Sequence, residues 1–204
     1  MLKKFTVLLF CWFLTYNIKG QNFDGGIILG ISTSQVRGDD LAGFNKAGIL
    51  AGAFVNKKIS QLLSLQMEMT YIQKGSNNPK MNENGIRDIS LSYIEIPVLL
   101  QYHQSDILAI EAGVLAGYLI DGYYNDITTR LESEKSPFIK HDIGLALGID
   151  YKYSEKINLN TRMSTSFLPI GTEDKFKGLV DLFNSNKKGK YNSVLSFTIH
   201  YNLS

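Results

Sequence analysis

Leu63-Ser64-Leu65-Gln66-Met67-Glu68-Met69-Thr70-Tyr71 alternates without a fault, with Leu63, Leu65, Met67, Met69 and Tyr71 on one parity and Ser64, Gln66, Glu68 and Thr70 on the other. Successive side chains of a strand point to opposite faces, so this period of two predicts a half-apolar β-strand. Asp142 to Tyr153 passes the same test, with Ile143, Leu145, Leu147, Ile149, Tyr151 and Tyr153 against Asp142, Gly144, Ala146, Gly148, Asp150 and Lys152. Working outward from these two, similar segments run over 23–34, 47–56, 89–102, 107–120, 157–168 and 191–203, which makes eight strands.

Most of these segments are about 10 to 14 residues long, whereas strands of soluble proteins average roughly 5 to 6 and a tilted membrane-crossing strand needs roughly 9 to 11. The connections alternate in length. Those at 35–46, 75–88, 121–141 and 169–190 are long, and those around 57–62, 103–106 and 154–156 are short. Short turns on one side and longer loops on the other are the habit of outer-membrane barrels. Alternation alone does not say which face points outward, since a soluble barrel that binds an apolar ligand carries the same pattern with its greasy side inward. The residue types favour apolar-out. The polar faces are mostly Gly, Ala, Ser and Thr, which suit the crowded interior of a narrow barrel, and most charges lie in the connections. The expected architecture is all-β: an eight-stranded antiparallel up-and-down transmembrane β-barrel with short periplasmic turns and four longer outer loops. Tyr71, Tyr102, Tyr118, Tyr151, Tyr153, Tyr191 and Tyr201 lie towards segment ends, where a ring that is apolar with a polar tip suits the headgroup level. Pro97 removes a ladder donor inside a strand of a barrel that has no edge, and a local bulge is the expected accommodation.

The chain has 204 residues, and its start departs from this pattern. Lys3 and Lys4 precede an apolar run over 5–14, followed by Asn17, Ile18, Lys19 and Gly20. The run is too short for a spanning helix and reads as a secretory signal peptide over residues 1–20, leaving 21–204 as the barrel domain. Cys11, the one cysteine, lies inside that run, so the exported chain has no disulfide, thiolate metal site or cysteine nucleophile. The net charge of +2 changes on export, because losing Lys3, Lys4 and Lys19 leaves 18 bases against 19 acids, a net −1. A nucleic-acid partner, which would show a basic face or stripe, is not indicated.

Four stretches carry a resemblance: Glu68-Met69-Thr70-Tyr71-Ile72-Gln73-Lys74-Gly75, Tyr93-Ile94-Glu95-Ile96-Pro97-Val98, Gly113-Val114-Leu115-Ala116-Gly117-Tyr118 and Asp142-Ile143-Gly144-Leu145-Ala146-Leu147-Gly148. As an ordered set they resemble the PorT-type family of outer-membrane β-barrel proteins over nearly the whole exported chain. The resemblance implies an eight-stranded barrel in the outer membrane of a Gram-negative bacterium. The founding member of that family is linked to protein secretion across the outer membrane.

On the inward parity, Glu68, Glu95, Glu111 and Asp150 face Arg162, the one base placed well within a strand, while Lys152 lies nearer a strand end. Buried charges are found paired, so these residues are expected to form an internal charge network. The plain reading is a structural plug, and the sharper one is a narrow channel. His103, His141 and His200 fall far apart, so neither a metal site nor any other cofactor is indicated. Ser136, His141 and Asp142 could be imagined as a hydrolytic triad, but adjacent His and Asp need not orient as a triad requires, and the chain is not expected to be an enzyme.

Two features remain in the outer loops. After Thr172, Glu173 and Asp174, the residues Phe176, Leu179, Val180 and Phe183 recur at helical spacing, which predicts a short amphipathic helix whose apolar stripe is a candidate interaction face. Arg37-Gly38-Asp39 spells an adhesion tripeptide, a match that arises easily by chance. The sequence reading is therefore an outer-membrane barrel in contact with membrane lipid. Its outer loops would bind an envelope partner or a surface, as an accessory to envelope assembly or secretion. Oligomeric state is not readable.

Overall fold

The structure is a computed structural model, and it describes residues 23–38, 43–77, 86–126, 130–132, 138–172 and 189–203. The expected signal segment, the stripe Phe176, Leu179, Val180 and Phe183, and Asp39 and Ser136 lie outside the described residues. Ten strands follow in chain order: β1 (Phe23–Arg37), β2 (Lys46–Lys58), β3 (Leu63–Asn77), β4 (Ile86–His103), β5 (Leu108–Asp126), β6 (Arg130–Glu132), β7 (His141–Lys152), β8 (Ile157–Ser166), β9 (Gly171–Thr172) and β10 (Gly189–Asn202). Eight of them are staves, hydrogen-bonded antiparallel in the order β1-β2-β3-β4-β5-β7-β8-β10. Pairing of β1 with β10, from Gly26↔Asn202 to Arg37↔Tyr191, closes the barrel. β6 extends the sheet beside β5 and β9 beside β10, so Thr172, just ahead of the expected helix, sits in a short strand.

Exposure fixes the two faces. Leu29, Met69 and Leu147 are 58%, 61% and 62% exposed, whereas Glu68 and Glu111 are 3% and 0%. The apolar side faces out and the polar side is buried, the reverse of a soluble barrel with a greasy interior. Such an outer face is stable only against lipid. Tyr102, Tyr151, Tyr153 and Tyr201 stand on it near the periplasmic end, with Tyr71, Tyr118 and Tyr191 near the other.

β4 shows where the bilayer ends. Towards the periplasm its outward residues are Ile94, Ile96, Val98, Leu100 and Tyr102, and Glu95 and Gln101 point in. Towards the outside the polarity inverts, with Asp88, Ser90 and Ser92 outward and Ile89, Leu91 and Tyr93 completely buried. The crossover falls at a bulge: Ser92 pairs with Asp121 and Tyr93 with Leu119, so Ile120 is extra on β5. β3, β4 and β5 therefore run past their expected ends at 71, 89 and 120, because their alternation continues there in inverted phase.

Pro97 carries no bulge, which corrects the expectation. Met67 pairs with Val98 and Thr70 with Glu95, so the β3–β4 register is the same on both sides and only the pairs between are missing. A single absent N–H costs the ladder little when its neighbours hold the register.

The periplasmic turns, at 59–62, 104–107 and 153–156, share one design. The N–H groups of Ser60, Ser105 and Ser154 donate to the carbonyls of Leu63, Leu108 and Ile157 at 3.0, 3.2 and 3.0 Å. In the first and third turns the serine hydroxyl oxygen also accepts from the returning backbone: Leu63 N–H at 3.1 Å on Ser60 and Ile157 N–H at 3.1 Å on Ser154.

Candidate functional site

The inward parity brings the charged residues into two layers. In the layer nearer the periplasm, Arg162 of β8 donates from Nη1 and Nη2 to the two carboxylate oxygens of Glu68 at 2.8 and 2.7 Å, and from Nε to Glu111 at 2.6 Å. Gln66 donates to Glu68 at 2.7 Å and Gln101 to Glu111 at 3.2 Å, so the carboxylates are held from below as well. A fork-on-fork Arg–carboxylate pair fixes both partners. Gly148, opposite Glu111 and Arg162 in the register, leaves room for them: a Cβ there would lie 2.6 Å from Glu111 Oε1 and 2.9 Å from the Thr161 carbonyl.

The layer nearer the outside is built around Lys74, which the sequence reading left out and which corrects the idea of a single internal base. Its ammonium pairs with Glu95 and, at 3.3 Å, with Asp142, and it lies 5.0 Å from the Tyr93 ring centre. Asn192 donates to Asp142 at 2.8 Å. Glu95 thus belongs to Lys74 and is not in the Arg162 group, and Asp150 joins neither layer. Asp150 accepts from Asn158 and Asn160 near the periplasmic end. The signal for Lys74 was present, since it continues the even parity of β3.

Beyond the second layer the barrel is filled by a buried apolar cap that includes Val36, Ile89, Leu91, Leu119 and Val194. Phe138 and Ile170 join it, tied down by Ile139 N–H on the Ile170 carbonyl at 2.7 Å and by a bridge between Phe138 and Gly171. On the periplasmic side the lumen instead widens into a polar vestibule of about 960 Å³, lined by residues that include Asn56, Gln101, His103, Asp150 and Asn158. The interior is therefore a stack: open vestibule, ion-pair layer, second ion-pair layer, apolar cap.

The other candidate residues are dispersed. His103 shares a hydrogen bond of 2.8 Å with Ser64, His200 packs 5.4 Å from the Phe54 ring, and His141 meets Tyr118 on the outer face. His141 and Asp142 point to opposite sides of the wall, so they cannot serve one triad. Arg37 lies along the outer wall, donating to the Thr165 hydroxyl at 2.8 Å.

These features define an integral β-barrel of the outer membrane, one whose lumen is packed and whose outer wall is greasy. The chain belongs to the outer membrane protein beta-barrel domain family, whose model matches residues 17–170. Among solved structures it is similar to Ail, the attachment invasion locus protein of Yersinia pestis, at 9% identity and a TM-score of 0.55, covering 88% of this chain and 98% of that one. The same protein in complex with the heparin analogue sucrose octasulfate gives 9% identity and a TM-score of 0.52, over 89% and 99%. Neisserial surface protein A is similar at 12% identity and a TM-score of 0.51, over 88% of this chain and 96% of that one. At such identities the likeness is one of fold. No curated protein matches the sequence.

Proposed function

We propose that this chain is a non-conducting, non-enzymatic outer-membrane barrel whose rigid, plugged stave set presents its outer loops to an envelope partner or a surface. The observation that carries this reading is the stacked lumen: two ion-pair layers and an apolar cap occupy the space through which a solute would pass. A scaffold closed in this way does its work at its ends, and binding residues concentrate on loops held by a rigid frame. Residues 1–20 act as a cleaved export signal and 21–204 as the barrel. The PorT-like motifs favour a place as an accessory to envelope assembly or secretion. The complex of Ail with a heparin analogue is an example of a barrel of this fold holding a ligand.

The test is site-specific photocrosslinking on intact cells, with the probe at Phe176 in the last outer loop and, as control, at Gln61 in a periplasmic turn. An adduct from Phe176 that is absent from Gln61 is expected. No adduct from Phe176, or an equal adduct from Gln61, would contradict the binding role.

A further inference from the structure

We propose that the outer wall at Arg37, Thr165, Ser193 and Tyr191 holds a phosphate of an outer-leaflet glycolipid. The inference rests on the contact of this wall with lipid and not on the role given to the loops. On β1 the outward residues Ile27, Leu29 and Ile31 are apolar and exposed, and Thr33, Gln35 and Arg37 follow them, so the apolar belt ends within this strand. The Thr33 hydroxyl donates to the carbonyl of Phe44, and Gln35 accepts from the N–H of Gly43 at 3.1 Å, which pins the returning end of the first outer loop to the same wall. This is the level at which headgroups meet acyl chains.

A long basic side chain at a membrane boundary ordinarily reaches up into water. Arg37 does not. β10 lies between β1 and β8, and Arg37 spans it, donating from Nη2 to the Thr165 hydroxyl at 2.8 Å. The register gives the direction: Arg37 pairs with Tyr191, whereas Thr165 stands in the row of Ser193 and Gln35, one step nearer the bilayer. Ser193 faces outward on β10 and yet is only 3% exposed, as a residue overlaid by that side chain must be. The Tyr191 ring centre lies 5.9 Å from the guanidinium carbon. Leu145, paired with Thr165, and Phe167, two residues beyond it, are both exposed to lipid. The cation is thus laid along the wall beside apolar side chains, and among the described residues no carboxylate pairs with it. At the edge of the hydrocarbon a charge is poorly hydrated and weakly screened, so it favours an anion there more than it would in water.

The remaining N–H donors of a planar guanidinium form a fork that matches the oxygens of a phosphate. The Thr165 and Ser193 hydroxyls, 3.4 Å apart, and the Tyr191 phenol suit the phosphate's other oxygens or the sugar that bears it. Below them Met163, Leu195 and Leu145 continue the apolar wall towards the periplasm, along which acyl chains of the same molecule would lie. A phosphorylated glucosamine lipid joins both chemistries in one ligand.

Native mass spectrometry of the folded exported chain in detergent, mixed with lipid A carrying both phosphates, tests this. One retained lipid adduct is expected. Its population should fall by roughly tenfold in Arg37→Gln, and as far with lipid A stripped of its phosphates, the worth of a charge-assisted contact. Lys57→Gln, on the outward face at the periplasmic end of β2, should leave it unchanged. Should Arg37→Gln fail to assemble, Thr165→Val, which removes the hydroxyl that holds the guanidinium, is read in its place and should also weaken the adduct. Two outcomes would overturn the proposal: an adduct that these wall substitutions leave at its original level, or an equal adduct from the dephosphorylated lipid, which would assign binding to the acyl chains alone.

Discussion

At the scale of single residues, the lumen shows how a barrel can bury charge. Arg162 sits between two carboxylates, and its removal strands both in a low-dielectric interior. Arg162→Leu is expected to lower stability by about 3–5 kcal/mol, read from urea unfolding in detergent, because breaking a buried pair costs more than the pair contributes when whole. Lys74→Met should fall in the same range. Gly148→Val should prevent assembly or displace Glu111, since its Cβ alone would meet the carboxylate and a backbone carbonyl. Gel mobility without boiling would show the loss of the folded form. The parity of the sequence was enough to place Glu68, Glu95, Glu111, Asp150 and Arg162 on the inward face. It did not say which of them meet. Parity gives the side of a strand but not the height along the barrel axis, and height depends on the register between strands, which brings Glu95 to Lys74 and leaves Asp150 apart. Lys74 itself was missed because the outward residues beyond Tyr71 cease to be apolar.

At the scale of elements, the same inversion decides how much of each strand could be read. The perfect alternation of 63–71 and of 142–152, up to the turn that Tyr153 begins, lies in strands where lipid demands an apolar outer face. Beyond the bilayer β4 keeps its period and exchanges its faces, and a single-polarity template reads that exchange as an end. Two substitutions separate the zones. Ile96→Lys should cost about 2–4 kcal/mol if it lies near the bilayer midplane, whereas Ser90→Lys should be close to neutral. Unfolding titrations of the two variants would check this. The shared turn design was legible in Ser60, Ser105 and Ser154, each two residues past its strand end, but short turns draw little notice when read only for length. Ser60→Ala and Ser154→Ala should each cost about 0.5–1.5 kcal/mol, the worth of the hydroxyl's bonds to the returning strand, measurable by the same titration. Pro97 shows the opposite case, a residue that looked disruptive and is absorbed by a ladder whose register its neighbours maintain.

At the scale of the molecule, the parts arrange as a graded column from an open periplasmic vestibule to a dry outer cap, inside a wall whose apolar belt matches lipid. Eight staves, their antiparallel order and their facing were all written in residue alternation and loop length, because the bilayer imposes both. The cap was not, since Phe138 and Ile170 reach it from connections whose path depends on tertiary packing. The plugged interior is the reason the proposed role is placed at the outer end. Reconstitution of the folded exported chain in a planar lipid bilayer tests this most directly. A plugged barrel should give no discrete conductance steps across the voltage range the membrane tolerates; reproducible single-channel steps from the unmodified chain would contradict the sealed lumen and with it the proposed role.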